Sequence, residues 1–236
     1  MSAEECLVCG APLEYLEQPE QMTCHFCGKQ EWSHARCVQG HYICDACHEK
    51  IGLRVIRKAC LETKSRDPIA IFQQVIRSPH IHMHGPEHHV LVGAALLAAY
   101  HNAGGQLDLE QALEEMERRG AQVPGGVCGL WGACGAGIST GIFLSIATKA
   151  TPLSGQSWGW SNQLTAKSLA AIGATGGPRC CKRDSYTALL QAVEFTAQQG
   201  LAQMERPQQI QCVDFGRNNQ CLGAKCPYFP RKGEAQ

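Results

Sequence analysis

The chain has 236 residues, 44% hydrophobic and 18% charged, with 21 basic and 21 acidic side chains. That length accommodates one domain of ordinary size and a small module, and the balanced charge excludes a whole-chain attraction for nucleic acid or membrane surfaces. The outstanding feature is a set of 15 cysteines.

The start, MSAEECLVCG, has neither a positively charged n-region nor an apolar h-region, so no secretory signal is expected. The most apolar stretch, residues 90–100, is too short to span a membrane. A cytoplasmic location follows, in which thiols stay reduced and paired cysteines read as metal ligands or catalytic groups.

Residues 1–50 read as a small β-rich module. Cys6 and Cys9, then Cys24 and Cys27, each sit in a CxxCG knuckle whose glycine serves a tight turn. Between the knuckles, LEYLEQPEQMT is expected to form two short strands around a Gln18-Pro19 turn. Cys37, His41, Cys44 and Cys47 bring the ligands to eight, the number needed by two tetrahedral zinc ions. Sequential and cross-braced pairings use the same eight residues, and His25, His34 and His48 are alternatives at single positions. Three basic residues stand against eight acidic ones here, which argues against nucleic acid and for a scaffold or a protein-docking surface.

The last CxxC opens a helix to about Leu61, and residues 51–65 connect to a second domain at 66–236. That domain reads as all-α, with about six helices joined by glycine-rich corners, so the chain is mainly α. Asp67-Pro68 starts the first of these helices, Pro86 a central one that is apolar nearly all round, and Asp108 an amphipathic one. A fourth follows Cys134 with small residues for close packing, a fifth starts at Ser161 or Asn162, and Asp184 starts the sixth.

Chemistry is expected at the corners. HIHMHGPEHH puts His80, His82, His84, His88 and His89 at the mouth of the central helix, as metal ligands, proton-transfer groups or polar residues satisfied in the core. Cys128 and Cys134 flank a loop entering a helix. Cys180 and Cys181 precede Lys182, Arg183 and Asp184. Adjacent cysteine side chains diverge, so one ligates or reacts while the other packs. Arg179, Lys182 and Arg183 are expected to lower a nearby thiol pKa and to hold a small anionic substrate. Cys212, Cys221 and Cys226 end in Cys-Pro, a pattern shared with iron–sulfur ligation. These seven cysteines suit a [4Fe–4S] cluster, a further zinc, or reduced thiols. Trp131, Trp158 and Trp160 near the corners read as core or lid, and Cys60 as a packing residue.

HGPEHHVLV, CGLWGACGAGISTGIF, ATPLS, GGPRCCKRDSY and the CPYF ending resemble DUF5714, an uncharacterised family of mostly anaerobic bacterial and archaeal proteins, over nearly the whole helical domain. The domain is also distantly similar to the all-α domain of iron–sulfur-dependent serine dehydratases. That likeness implies Cys128 or Cys134 with Cys180 or Cys181 as cluster ligands, and His84 beside a substrate. The expected function is an iron–sulfur enzyme, either a lyase or a redox or sulfur-handling enzyme, with His84 or His88 moving protons. The alternative is a non-catalytic zinc adaptor or metal carrier.

Overall fold

The computed structural model describes residue 6 and residues 8–230, the side chains of 45, 46, 48 and 49 excepted. The MSAEE start and the His48 side chain lie outside the described residues. Strands β1 (Leu13–Thr23) and β2 (Gln30–Cys37) form an antiparallel hairpin, followed by α1 (Asp45–Glu62), α2 (Pro68–Val75) and α3 (Glu87–Asn102). Then come α4 (Leu109–Gly120), the one-turn α5 (Val127–Leu130), α6 (Gly135–Ala147), α7 (Gln156–Thr175) and α8 (Cys181–Gln198). The chain is mainly helical with a small N-terminal sheet, as the sequence leads one to expect.

Three boundaries differ from expectation. Residues 13–23 form one strand rather than two, because its pairing with β2 continues on both sides of a bulge between Tyr15 and Glu20, where Pro19 sits. Helix α7 begins at Gln156, ahead of Ser161. Helix α8 begins at Cys181, so Asp184 lies in its first turn rather than at its cap. The expected caps at Asp67 and Asp108 are present, accepting from the amides of Ile69 and Gln111 at 2.8 and 3.0 Å.

Helix α3 is buried from Glu87 to Tyr100 and is flanked by α1, α2, α4, α6 and α8. A helix apolar on every side can only be satisfied by such a central position. Cys60, on α1, is fully buried in the same core. Trp160 packs against that core, whereas Trp131 and Trp158 are 67% and 51% exposed and lie outside it.

Helices α6 and α7 approach closely through Gly137 and Gly141, one turn apart on α6. A Cβ at Gly141 would stand 1.9 Å from Thr165 Oγ1 and 3.0 Å from the Ser161 carbonyl. Because backbone blocks it as well as a side chain, Gly141→Ala is expected to destabilise the domain by about 2 kcal/mol, read as a lowered midpoint in thermal unfolding.

Candidate metal centres

Hairpin register decides how the N-terminal ligands pair. Leu13 stands opposite Cys37, so the Cys6–Cys9 knuckle and the Cys37–His41 turn share one end of the ladder. At the other end the 24–28 knuckle joins the strands, and the His25 amide donates to the Tyr42 carbonyl at 2.8 Å, drawing in the segment that carries Cys44 and Cys47. Two sets result: Cys6, Cys9, Cys37 and His41, and Cys24, Cys27, Cys44 and Cys47, with the ligand atoms of each set within 4.8 Å of one another. The two sets interleave along the chain, as in the cross-braced alternative.

Individual separations suit a single tetrahedral ion. Cys9 and Cys37 sulfurs are 3.5 Å apart, Cys27 and Cys44 sulfurs 3.6 Å, and His41 Nδ1 is 3.3 Å from Cys9 Sγ. A zinc–sulfur bond of about 2.3 Å in tetrahedral geometry implies similar sulfur spacings. Amides also aim at the thiols, Gln39 to Cys37 at 3.2 Å and Cys44 to Cys24 at 3.3 Å. Gly10 and Gly28 have φ of 72° and 71°, the left-handed turn each knuckle needs. Both sets could hold metal ions and are compatible with two zincs. His41 fills its position, while His34 instead contacts the Leu16 carbonyl and the His25 ring lies edge-on to His41.

The seven cysteines of the helical domain separate into two groups. Cys180, at the N-cap of α8, lines one small cavity together with Cys212, Cys221 and Cys226. The Cys212 amide donates to the Tyr228 carbonyl at 2.8 Å, which brings the two ends of the C-terminal loop together. Donors reach the sulfurs: the Arg183 amide and Asn218 Nδ2 to Cys180, both at 3.5 Å, and the Gly223 amide to Cys221 at 3.3 Å. Asp214 Oδ2 on the same wall is buried without a hydrogen-bond partner. Four thiols and one buried carboxylate oxygen thus face the same cavity.

Cys181 belongs to the other group. Cys134 Sγ lies 3.8 Å from Asp184 Oδ2, and burial, with Asp184, Cys181 and Cys128 nearby, pushes the Cys134 thiol up to about 12. Adjacent cysteines at the head of α8 thus serve different surroundings. Burial raises Cys180 as well, and raises Cys181 to about 11. The expected lowering of these thiols by Lys182 and Arg183 is overturned because desolvation outweighs the neighbouring cations.

Those cations are themselves engaged. Lys182 is 2% exposed and donates to the carbonyls of His82 and Met83 at 2.5 and 3.1 Å, with His88 Nε2 at 3.1 Å. Arg183 donates from Nε to Asp184 at 2.9 Å and from a terminal nitrogen to the Pro178 carbonyl at 3.0 Å. Arg179 is exposed. Lys182 therefore straps the histidine loop to α8. Gly85 is required in that loop, since a Cβ there would lie 2.0 Å from the Glu87 carboxylate, which accepts from the His82 amide at 2.8 Å.

Of the five histidines, His84 lies nearest the four-thiol cavity. Its Nε2 donates to Asn218 Oδ1 at 3.2 Å, and the same Asn218 donates to Cys180, so His84 acts on the thiol through one amide. Its Nδ1 is buried without a partner, and burial holds its pKa below the ordinary value. His89 Nδ1 donates to the Val123 carbonyl at 2.9 Å.

His88 is fully buried, and desolvation, aided by Lys182, drives its pKa down to about 3. The unfolded chain therefore binds this proton first, so His88 leaves stability intact above pH 6.5 and withdraws about 1 kcal/mol per pH unit below it. Denaturant unfolding between pH 7 and 5 should show this slope, and His88→Gln should reduce it.

Asn218, Asp214, Met83 and Tyr186 line the cavity without any marking in the sequence. The one available signal is that DFGRNNQ, between Cys212 and Cys221, is polar and has no helical period.

Residues 56–229 match the model of a family described as a family of unknown function, DUF5714. The chain belongs to that family. The match to DUF5714 takes in every helical-domain cysteine and stops short of both metal-ligand sets in the module. No curated protein and no solved structure matches, so the dehydratase likeness rests on its motifs alone. Among the described residues, no helix is long and apolar enough to cross a membrane.

Proposed function

We propose that this DUF5714 protein is a redox metalloprotein of a reducing, cytoplasmic environment. Two zinc ions fold its N-terminal module, and Cys180, Cys212, Cys221 and Cys226 hold one [4Fe–4S] cluster. The observation that carries the reading is the convergence of four thiols and the orphaned Asp214 oxygen on one cavity. Among the described residues, the groups whose ligand atoms lie within 4.8 Å of one another are the two N-terminal sets, which favours a cluster over a single ion for these four thiols. A cubane places irons and sulfides between its thiolates and so needs the wider spacing.

Such a cluster supplies one-electron chemistry, at a potential tuned by hydrogen bonds to sulfur and by solvent exposure. With four protein thiolates no iron is left open to substrate, which favours electron transfer over a lyase. The Arg183 and Gly223 amides and the Asn218 carboxamide donate to sulfur, and His84 orients Asn218. Phe215, Phe229 and Tyr228 give the cavity an apolar side. Anaerobic protein reduced with dithionite should give a low-temperature electron paramagnetic resonance signal from a reduced cluster; a silent spectrum from iron-loaded protein would defeat the reading.

One observation favours an adaptor role for the module alongside the redox role. Trp32 and Phe26 are 70% and 54% exposed on an acidic surface, which suits a protein partner rather than nucleic acid. If Trp32→Ala alters a cellular phenotype that Cys212→Ser leaves intact, the adaptor reading stands alone.

A further inference from the structure

Beside the four-thiol cavity lies a second, open groove lined by Gln73, Arg77, Gln209, Gln211 and Val213. Tyr186 lines both spaces. Its ring is fully buried and held edge-on by Phe72 and Tyr228, each with centroids 5.3 Å away, so it is a fixed partition. The chain from 209 to 213 is arranged in the same sense: Gln209, Gln211 and Val213 line the groove, while Cys212 between them lines the cavity. That is the alternation of extended backbone, with a thiol on one side and the groove wall on the other.

The groove's chemistry is specific. Arg77 is the only charged side chain lining it and has no ion pair among the described residues. The three glutamines add carboxamide donors and acceptors. The Tyr186 hydroxyl is buried beside Gln73 at the inner wall of the groove.

We infer that this groove binds a small anionic redox partner rich in hydrogen-bonding groups, which exchanges electrons with the four-cysteine centre across the Tyr186 ring. The inference rests on the cluster reading above and adds the place and chemical class of the partner. In the direction tested, the dithionite-reduced centre loses one electron and an anionic oxidant gains it, with no bond made or broken. Arg77 holds the anion, the glutamines orient it, and Tyr186 separates it from the thiols by one ring.

The test uses stopped-flow oxidation of the reduced, zinc-loaded full chain by ferricyanide, an anion, and by hexaammineruthenium(III), a cation. Arg77→Gln is expected to slow ferricyanide roughly fivefold and leave the cation unchanged or faster. Arg118→Gln removes the same charge from α4, which packs on α1, α3 and α6, and should leave both rates unchanged. Calorimetric titration with inorganic phosphate gives a readout independent of turnover, and heat of binding should be lost in Arg77→Gln. Equal slowing by Arg77→Gln and Arg118→Gln would reduce the effect to bulk charge and overturn the groove. So would a ferricyanide rate and a phosphate heat indifferent to Arg77 in protein that carries a normal cluster spectrum. A protein that takes up no cluster under anaerobic iron and sulfide loading overturns the cluster reading and the electron path, and Arg77-dependent phosphate binding then shows an anion site only.

Discussion

Removing the two N-terminal metal ions with a chelator is expected to abolish the β hairpin while leaving the helical domain folded. The reason lies in where the buried apolar residues are. The continuous core begins at Leu53 and runs through α1 to α8, whereas among the described residues of 6–44 the buried side chains are Cys6, Met22, Cys24, Cys37 and Cys44. Four of those five belong to the two candidate ligand sets, so without metal the hairpin has almost nothing to bury. Structural zinc in such modules contributes about 10–16 kcal/mol, far more than an isolated hairpin can replace. Amide signals of residues 13–37 should collapse to random-coil positions on chelation while those of α3 and α8 hold. Cys24→Ser alone should release one ion of the two. A hairpin that survives chelation would show that the ligands only decorate a fold made by other means.

The second large effect concerns the division of the helical-domain thiols. Cys212→Ser or Cys226→Ser should lower iron and sulfide retention at least tenfold, because each removes a thiolate from the cavity and leaves a weaker, harder ligand. Cys128→Ser should retain the full cluster, since Cys128 belongs to the group around Cys134 and Asp184. Anaerobic absorbance measured per chain separates the two outcomes. Equal loss in all three variants would mean that the two thiol groups form one centre, contrary to the partition made at the head of α8.

Much of this was legible in the sequence, for local reasons. Cys6 and Cys9 fall in one ligand set because three residues span a knuckle, and Gly10 marks the left-handed turn that closes it. The cross-braced pairing was not legible, because it follows from Leu13 standing opposite Cys37, a contact 24 residues apart in the chain. Strand β2, QEWSHARC, has no clean apolar alternation, and its register is set with the knuckles. Helix α7 starts at Gln156 through residues such as Gly159 that are weak helix formers, so packing against α6 decides its length rather than propensity.

The candidate site follows the same pattern. Divergence of Cys180 and Cys181 follows from their adjacency, but which thiol faces which neighbours depends on α8 beginning at Cys181. Lys182 and Arg183 read as substrate-binding cations because the sequence does not reveal burial; in the fold they hold the histidine loop and Asp184. Asn218 and Asp214 sit in irregular chain whose position is set by the pairing of Cys212 with Tyr228.

The central claim is that one chain carries two zinc ions in its module and one iron–sulfur cluster among Cys180, Cys212, Cys221 and Cys226. Elemental analysis of an anaerobic preparation, with acid-labile sulfide measured on the same sample, tests it most directly. The expected result is two zinc, four iron and four sulfide per chain, with an absorbance band at about 400 nm. Zinc alone, without iron, sulfide or the band, would contradict it.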